Sequence, residues 1–145
     1  MTVARTLPAS LSSRFAGARR AVARTGSSSF ELVLAERFGL RLRGLIGLET
    51  GEIPPLLFPG CRSLHTYWMA ADIDVVWLDL RLGADRGEAD VLRVDESVAN
   101  GRMLRRPRGL DSEIRRRVAA LELPAGEAAV LGIANSPLEL AIVRG

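Results

Sequence analysis

The chain has 145 residues, enough for one domain with a sizeable core, and its single Cys excludes an internal disulfide framework. All 20 basic residues are Arg, which lifts the isoelectric point to 10.3 although the net charge is only +3. The charge is uneven: residues 1–29 hold Arg5, Arg14, Arg19, Arg20 and Arg24 and no acid, so the nearly neutral remainder lacks the basic surface of a nucleic-acid-binding domain.

Residues 1–29 carry no signal-peptide apolar run, and nowhere do the roughly 18 consecutive apolar residues of a spanning helix occur, so a cytoplasmic location is expected. Leu7, Leu11, Phe15, Ala18 and Val22 recur at helical steps, the pattern of an Arg-rich amphipathic helix able to make a weak contact with an anionic membrane surface or a partner. The plainer reading is a solvated, flexible leader ending at Gly26-Ser27-Ser28-Ser29, with residues 30–145 as the folded domain. Deleting residues 1–28 should then leave the melting temperature nearly unchanged.

Phe30 to Leu34 reads as a strand, and Glu36 to Ile46 as a short helix with Phe38, Leu42, Leu45 and Ile46 on its apolar side. Pro54-Pro55 forces a turn, after which Leu56 to Phe58, Arg62 to Trp68, Ile73 to Leu80, Ala89 to Val94 and Val118 to Leu123 read as strands. Ile73 to Leu78 is apolar on both faces, as a central strand is. The connection from Asn100 to Arg117 is Arg-rich but lacks interleaved aromatics, so it reads as a solvated loop rather than a base-stacking surface. A short helical piece, Glu127 to Leu131, and a last strand, Leu138 to Val143, complete a β-rich single domain: a barrel or sandwich with one short helix after the first strand.

The rarest side chains sit together. Cys61 to Trp77 contains the only Cys, His and Tyr and both Trp residues. A Cys61–His65 dyad is excluded along a strand, where four residues span about 13 Å. With one His and one Cys, no transition-metal site is expected, the acids around Asp79 to Asp90 lack calcium-loop spacing, and Gly39, Gly44 and Gly47 lack a phosphate-binding pattern. No cofactor is expected. What remains is His65 and Asp74, which could face each other across a turn, with Thr66 and Met69 beside them and Arg43 or Arg62 balancing the carboxylate. Trp68 and Trp77 read as core packing.

The succession Arg43-Gly44-Leu45, Leu57-Phe58, His65-Thr66-x-x-Met69, Ile73-Asp74-Val75-Val76-x-Leu78-Asp79 and Leu121-Glu122-Leu123-Pro124-Ala125-Gly126 resembles the domain of unknown function 192 family over Phe30 to Val143. The resemblance implies a small β-rich barrel or sandwich with a short helix near its start; the family has no established activity to transfer. Ala70-Ala71-Asp72 and Asn135-Ser136-Pro137 depart from its pattern.

The leading functional expectation is a non-catalytic binding or accessory module with a small polar pocket around His65, Met69 and Asp74, open to a small ligand or a protein partner and not to nucleic acid. The alternatives are a hydrolase-like or carbohydrate-acting enzyme using Asp74, Asp79 and Glu122, and docking through the Arg-rich leader.

Overall fold

The run that is apolar on both faces becomes β6 (Ile73–Leu82), whose first eight residues are all buried between neighbouring strands on either side. The structure, a computed structural model, describes residues 2–144. In chain order the other elements are β1 (Ala4–Arg5), β2 (Arg20–Thr25), β3 (Ser28–Leu34), α1 (Phe38–Arg43), β4 (Leu56–Phe58) and β5 (Ser63–His65). After β6 come β7 (Arg86–Val98), β8 (Met103–Arg105), α2 (Ser112–Arg117), β9 (Val118–Pro124), α3 (Glu127–Leu131) and β10 (Leu138–Ile142). Strands run in the order β3-β2-β10-β7-β6-β9-β4, and β4 returns to β3, closing a seven-stranded barrel that leaves no long free edge. β5 and β8 form a separate two-stranded ribbon.

Residues 2–29 are part of this architecture, which corrects the expectation of a solvated leader. β2 lies between β3 and β10, pairing antiparallel with both. Its Ala21 and Ala23 are fully buried while Arg20 and Arg24 face out, a period of two that the helical spacing of larger residues masks, because Ala is a weak apolar marker. The supposed linker is the two-residue turn Gly26-Ser27 of the β2–β3 hairpin followed by the first two residues of β3, with Gly26 in the left-handed region at φ 55°. Further upstream, Phe15 is fully buried in a single 3-10 turn.

The helices differ from expectation too. α1 is shorter than the predicted segment because the chain turns left-handed at Gly44, and Leu42, assigned to its apolar side, is 67% exposed. α2 forms within the stretch expected to be loop, capped by Asp111, whose carboxylate accepts the Ile114 amide at 2.9 Å. The predicted strand Arg62 to Trp68 is ordered as a strand only over β5.

Two apolar layers result. Alternate residues of all seven barrel strands, among them Phe30, Leu32, Val76, Leu78, Leu121 and Leu140, fill the interior, and Leu131 of α3 and Ile133 join them. A second core lies outside the wall formed by β3, β4, β9 and β6, where Val33, Leu56, Val75 and Ala120 face outward under Phe15, Leu40, Leu45 and Ile53. Trp77 belongs to this outer core, fully buried, its indole N–H donating to Asp95 at 3.0 Å.

Candidate functional site

β9 is apolar except at one residue. Glu122 stands opposite Leu56 of β4 and Val75 of β6, so its side chain leaves the outer face of the barrel and enters the space beneath the second layer. There it meets a cavity of about 170 Å³ walled by Arg43 and Gly44 after the α1 turn, Phe58, Cys61, His65 and Met69. Glu122 is only 5% exposed, and among the described residues its carboxyl makes neither a hydrogen bond nor an ion pair. Burial alone pushes its pKa up to about 8. At neutral pH the group is therefore mostly a neutral carboxyl, with one O–H to donate and a carbonyl oxygen to accept.

The wall is built to approach this carboxyl. At Gly44, φ 47°, a Cβ would stand 3.4 Å from the Phe58 ring and 3.9 Å from a Glu122 oxygen. Those are ordinary contacts, so it is the positive φ of this turn, and not a lack of space, that calls for glycine. The turn is held from outside by Arg14, which donates to the carbonyls of Gly44 at 3.0 Å and Ile46 at 2.7 Å. Arg41 pins the other end by donating to the carbonyls of Ala35 and Pro59. The Arg43 side chain, by contrast, makes no hydrogen bond or ion pair among the described residues.

His65 is half-buried, and its Nδ1 is buried without a hydrogen-bond partner. Its ring centroid lies 5.3 Å from Tyr67 and 6.1 Å from Trp68. The backbone of Trp68 is left-handed at φ 64°, and its side chain, expected in the core, is 73% exposed. Such a conformation costs a non-glycine residue of the order of 1 to 2 kcal/mol, so the surrounding turn must impose it. The bonds that do so are at hand: Trp68 accepts the Gly47 amide at 3.3 Å, and the Met69 amide donates to Asn100 Oδ1 at 3.1 Å.

Cys61 also lines the cavity, but its thiol donates to the Ser63 carbonyl at 3.4 Å, and burial pushes its pKa up to about 11. That thiol is no nucleophile at neutral pH, and His65 does not bond to it. Among the described residues no group of three His, Cys, Asp or Glu is placed to hold a metal ion.

The predicted His65–Asp74 pair does not form. β6 pairs Asp74 with Leu123 and Val75 with Glu122, so Asp74 leaves the inner face of the barrel while Glu122 leaves the outer one. Asp74 is fully buried and its carboxylate accepts three backbone amides: Ser97 at 2.9 Å, and Gly126 and Ala128 at 3.0 Å each. It ties α3 to the end of the barrel, and neither Arg43 nor Arg62 is paired with it. Thr66, also predicted for the pocket, is fully buried and engaged with backbone, donating to the Ala99 carbonyl at 2.6 Å and accepting the Arg102 amide at 2.9 Å. Arg62 lies instead on an Arg-lined surface around α2 and the β5–β8 ribbon. Met69, His65 and Arg43 are the predicted residues that do converge. Gly44 also lines the cavity, and in the sequence only its place in the Arg43-Gly44-Leu45 segment signals it.

The carboxylates of the enzyme alternative are not brought together. Asp79 is clamped by Arg117, at 2.8 and 3.2 Å, and by Arg81 at 3.1 Å. It stands opposite Val118, four residues along β9 from Glu122, about 13 Å at strand spacing and beyond the range of paired glycosidase carboxylates.

No family model matches the chain, and no curated protein matches it. Among solved structures it is similar to a protein of unknown function from Novosphingobium aromaticivorans DSM 12444, with a TM-score of 0.55 and 18% identity over 88% of this chain and 96% of that one. It is also similar to a protein from Sinorhizobium meliloti 1021 described as a proposed transcription regulator, with a TM-score of 0.54 and 18% identity over 83% of this chain and 91% of that one. At that identity the likeness shows the shared fold.

Proposed function

We propose that this protein is a non-catalytic binding module whose ligand is a small molecule presenting a carbonyl or carboxylate oxygen to Glu122. The observation that carries this reading is a carboxyl buried in a cavity wall with no partner of its own. A buried polar group without a hydrogen bond costs about 1 to 3 kcal/mol, an expense a ligand would relieve. The groups around it are suited to donate: the neutral Glu122 carboxyl, the unpartnered Arg43 guanidinium, and His65 in the tautomer that protonates Nδ1. Among the described residues no activated nucleophile faces the cavity, which favours binding over covalent chemistry. Four of the segments that resemble the domain of unknown function 192 family, those holding Arg43-Gly44, Phe58, His65 with Met69, and Glu122, line this one cavity, which supports that kinship as well.

Methyl-resolved NMR at pH 6.5 tests the reading through Met69. Titration with acetate or acetamide should shift the Met69 methyl in the parent and in Glu122→Gln, and should fail in Glu122→Leu. A shift produced by methylammonium and not by acetate or acetamide would reverse the assigned chemistry to a cation site. No shift with any of the three would remove the site.

A further inference from the structure

Outside this cavity, the largest concentration of unneutralised charge lies around α2 and the β5–β8 ribbon. Two clefts of about 710 and 380 Å³ adjoin there and share Arg62, Arg106 and Arg115 in their walls. Arg105 and Arg108 line the larger, Arg116 the smaller. Apart from Arg106, which donates to the Arg115 carbonyl, these side chains make no hydrogen bond or ion pair among the described residues. The acids of the same stretch do not cancel them: Asp111 caps α2, and Asp111 and Glu113 both act on Arg117, already held by Asp79. Like charges left unpaired in a groove repel one another, and a bound polyanion removes that cost.

The ribbon joins this groove to exposed rings. Leu64 and Leu104 pack against the outer core, so the alternation of β5 and β8 places Ser63, His65, Met103 and Arg105 on the opposite face. Met103 opposes His65, and His65 touches Tyr67, 42% exposed, and Trp68, held outward by its left-handed backbone. The sequence argued against nucleic acid because residues 100–117 contain no aromatics; the fold supplies them from another segment. A guanidinium-lined groove continuing into two solvent-facing rings has the two components of a single-strand site, charge for the backbone and planes for the bases. A membrane surface would instead demand a protruding apolar face, whereas this one is concave.

We infer that the β5–β8 face binds single-stranded nucleic acid, its phosphates along Arg62, Arg105, Arg108 and Arg115 and a base on Trp68. This site borders the Glu122 cavity along Ser63 and His65 but uses neither Glu122 nor Arg43.

Fluorescence anisotropy of the full chain with a labelled oligothymidylate of about 12 nucleotides tests it, a length within the usual span of such sites. Binding at low salt should weaken steeply as salt rises. Replacing Arg62, Arg105 and Arg108 together by Ala, all unpartnered and therefore neutral for folding, should lower affinity about tenfold or more. Trp68→Asn, which keeps a residue tolerant of left-handed backbone, should lower it about fivefold or more, the loss of one stacked base. Trp77 is fully buried, so quenching of intrinsic fluorescence by the oligonucleotide should vanish in Trp68→Asn. Absence of binding at low salt overturns the inference. So does tighter binding to phosphatidylglycerol vesicles than to the oligonucleotide, or affinity for heparin equal to that for the oligonucleotide and unchanged by Trp68→Asn, which leaves a charge-only surface.

Discussion

Two buried carboxylates on neighbouring strands have opposite fates. Asp74 faces the barrel interior and receives three backbone N–H groups; Glu122 faces the outer layer and receives none. The inner core around Asp74 is otherwise apolar and closed by α3, whereas the outer layer collects Glu122, without a partner among the described residues, the unsatisfied His65 Nδ1 and Arg14 Nε, and the left-handed Trp68. The difference teaches that the barrel carries stability and its wrapping carries the site, since unmet polar groups persist where the surrounding structure outweighs their cost.

The most severe way to break this division is to remove residues 1–28. That deletes β2 from between β3 and β10 and takes Phe15 from the outer core, so the barrel should not close, and circular dichroism should show loss of the cooperative β transition. A truncated chain melting near the parent would return these residues to the status of a leader.

Asp74→Ala comes next. It strands three backbone donors, that of Ala128 in a buried bond and those of Ser97 and Gly126 in half-buried ones, and should destabilise by about 2 to 4 kcal/mol in urea unfolding, with Asp74→Asn retaining part of the loss because one oxygen still accepts. A cost under about 1 kcal/mol would show that water can replace this carboxylate.

Glu122 should behave in the opposite sense. Its folded pKa of about 8 lies above the ordinary 4.5, so between those values the native state holds a proton the unfolded chain has released. Its contribution is therefore complete below about pH 4.5 and is lost as pH rises through 8, a change of the order of 5 kcal/mol. Glu122→Gln cannot titrate. The difference between the parent and Gln stability curves should fall across that window, and a flat difference would mean that the carboxyl is solvated or paired.

The smallest effect concerns Cys61. With its thiol raised to about 11, alkylation by iodoacetamide at pH 8 should be far slower in the native protein than in urea. Equal rates would show an open cavity mouth and a lower thiol pKa.

Local patterns carried much of the barrel. The two-faced apolar run at Ile73 to Leu78, the strands flanking Pro54-Pro55 and the short helix from Glu127 were legible because length, periodicity and turn residues are local properties. β2 was not, since Ala on alternate positions signals weakly and competed with a helical spacing of larger residues that the fold does not use. His65, Met69 and Arg43 were found as site residues from their rarity and neighbourhood, yet Asp74 was paired with the wrong group.

What the sequence by itself determined is therefore the β-rich character, the central strand and the segment where unusual side chains gather. Only the tertiary structure decided which carboxylate met that segment. Register supplies the reason: β6 pairs Asp74 with Leu123 and Val75 with Glu122, and in a strand one step along the chain moves a side chain to the opposite face. A carboxylate one residue earlier or later is thus an anchor inside the barrel or an unpartnered group in a cavity outside it, a distinction that composition and spacing do not contain.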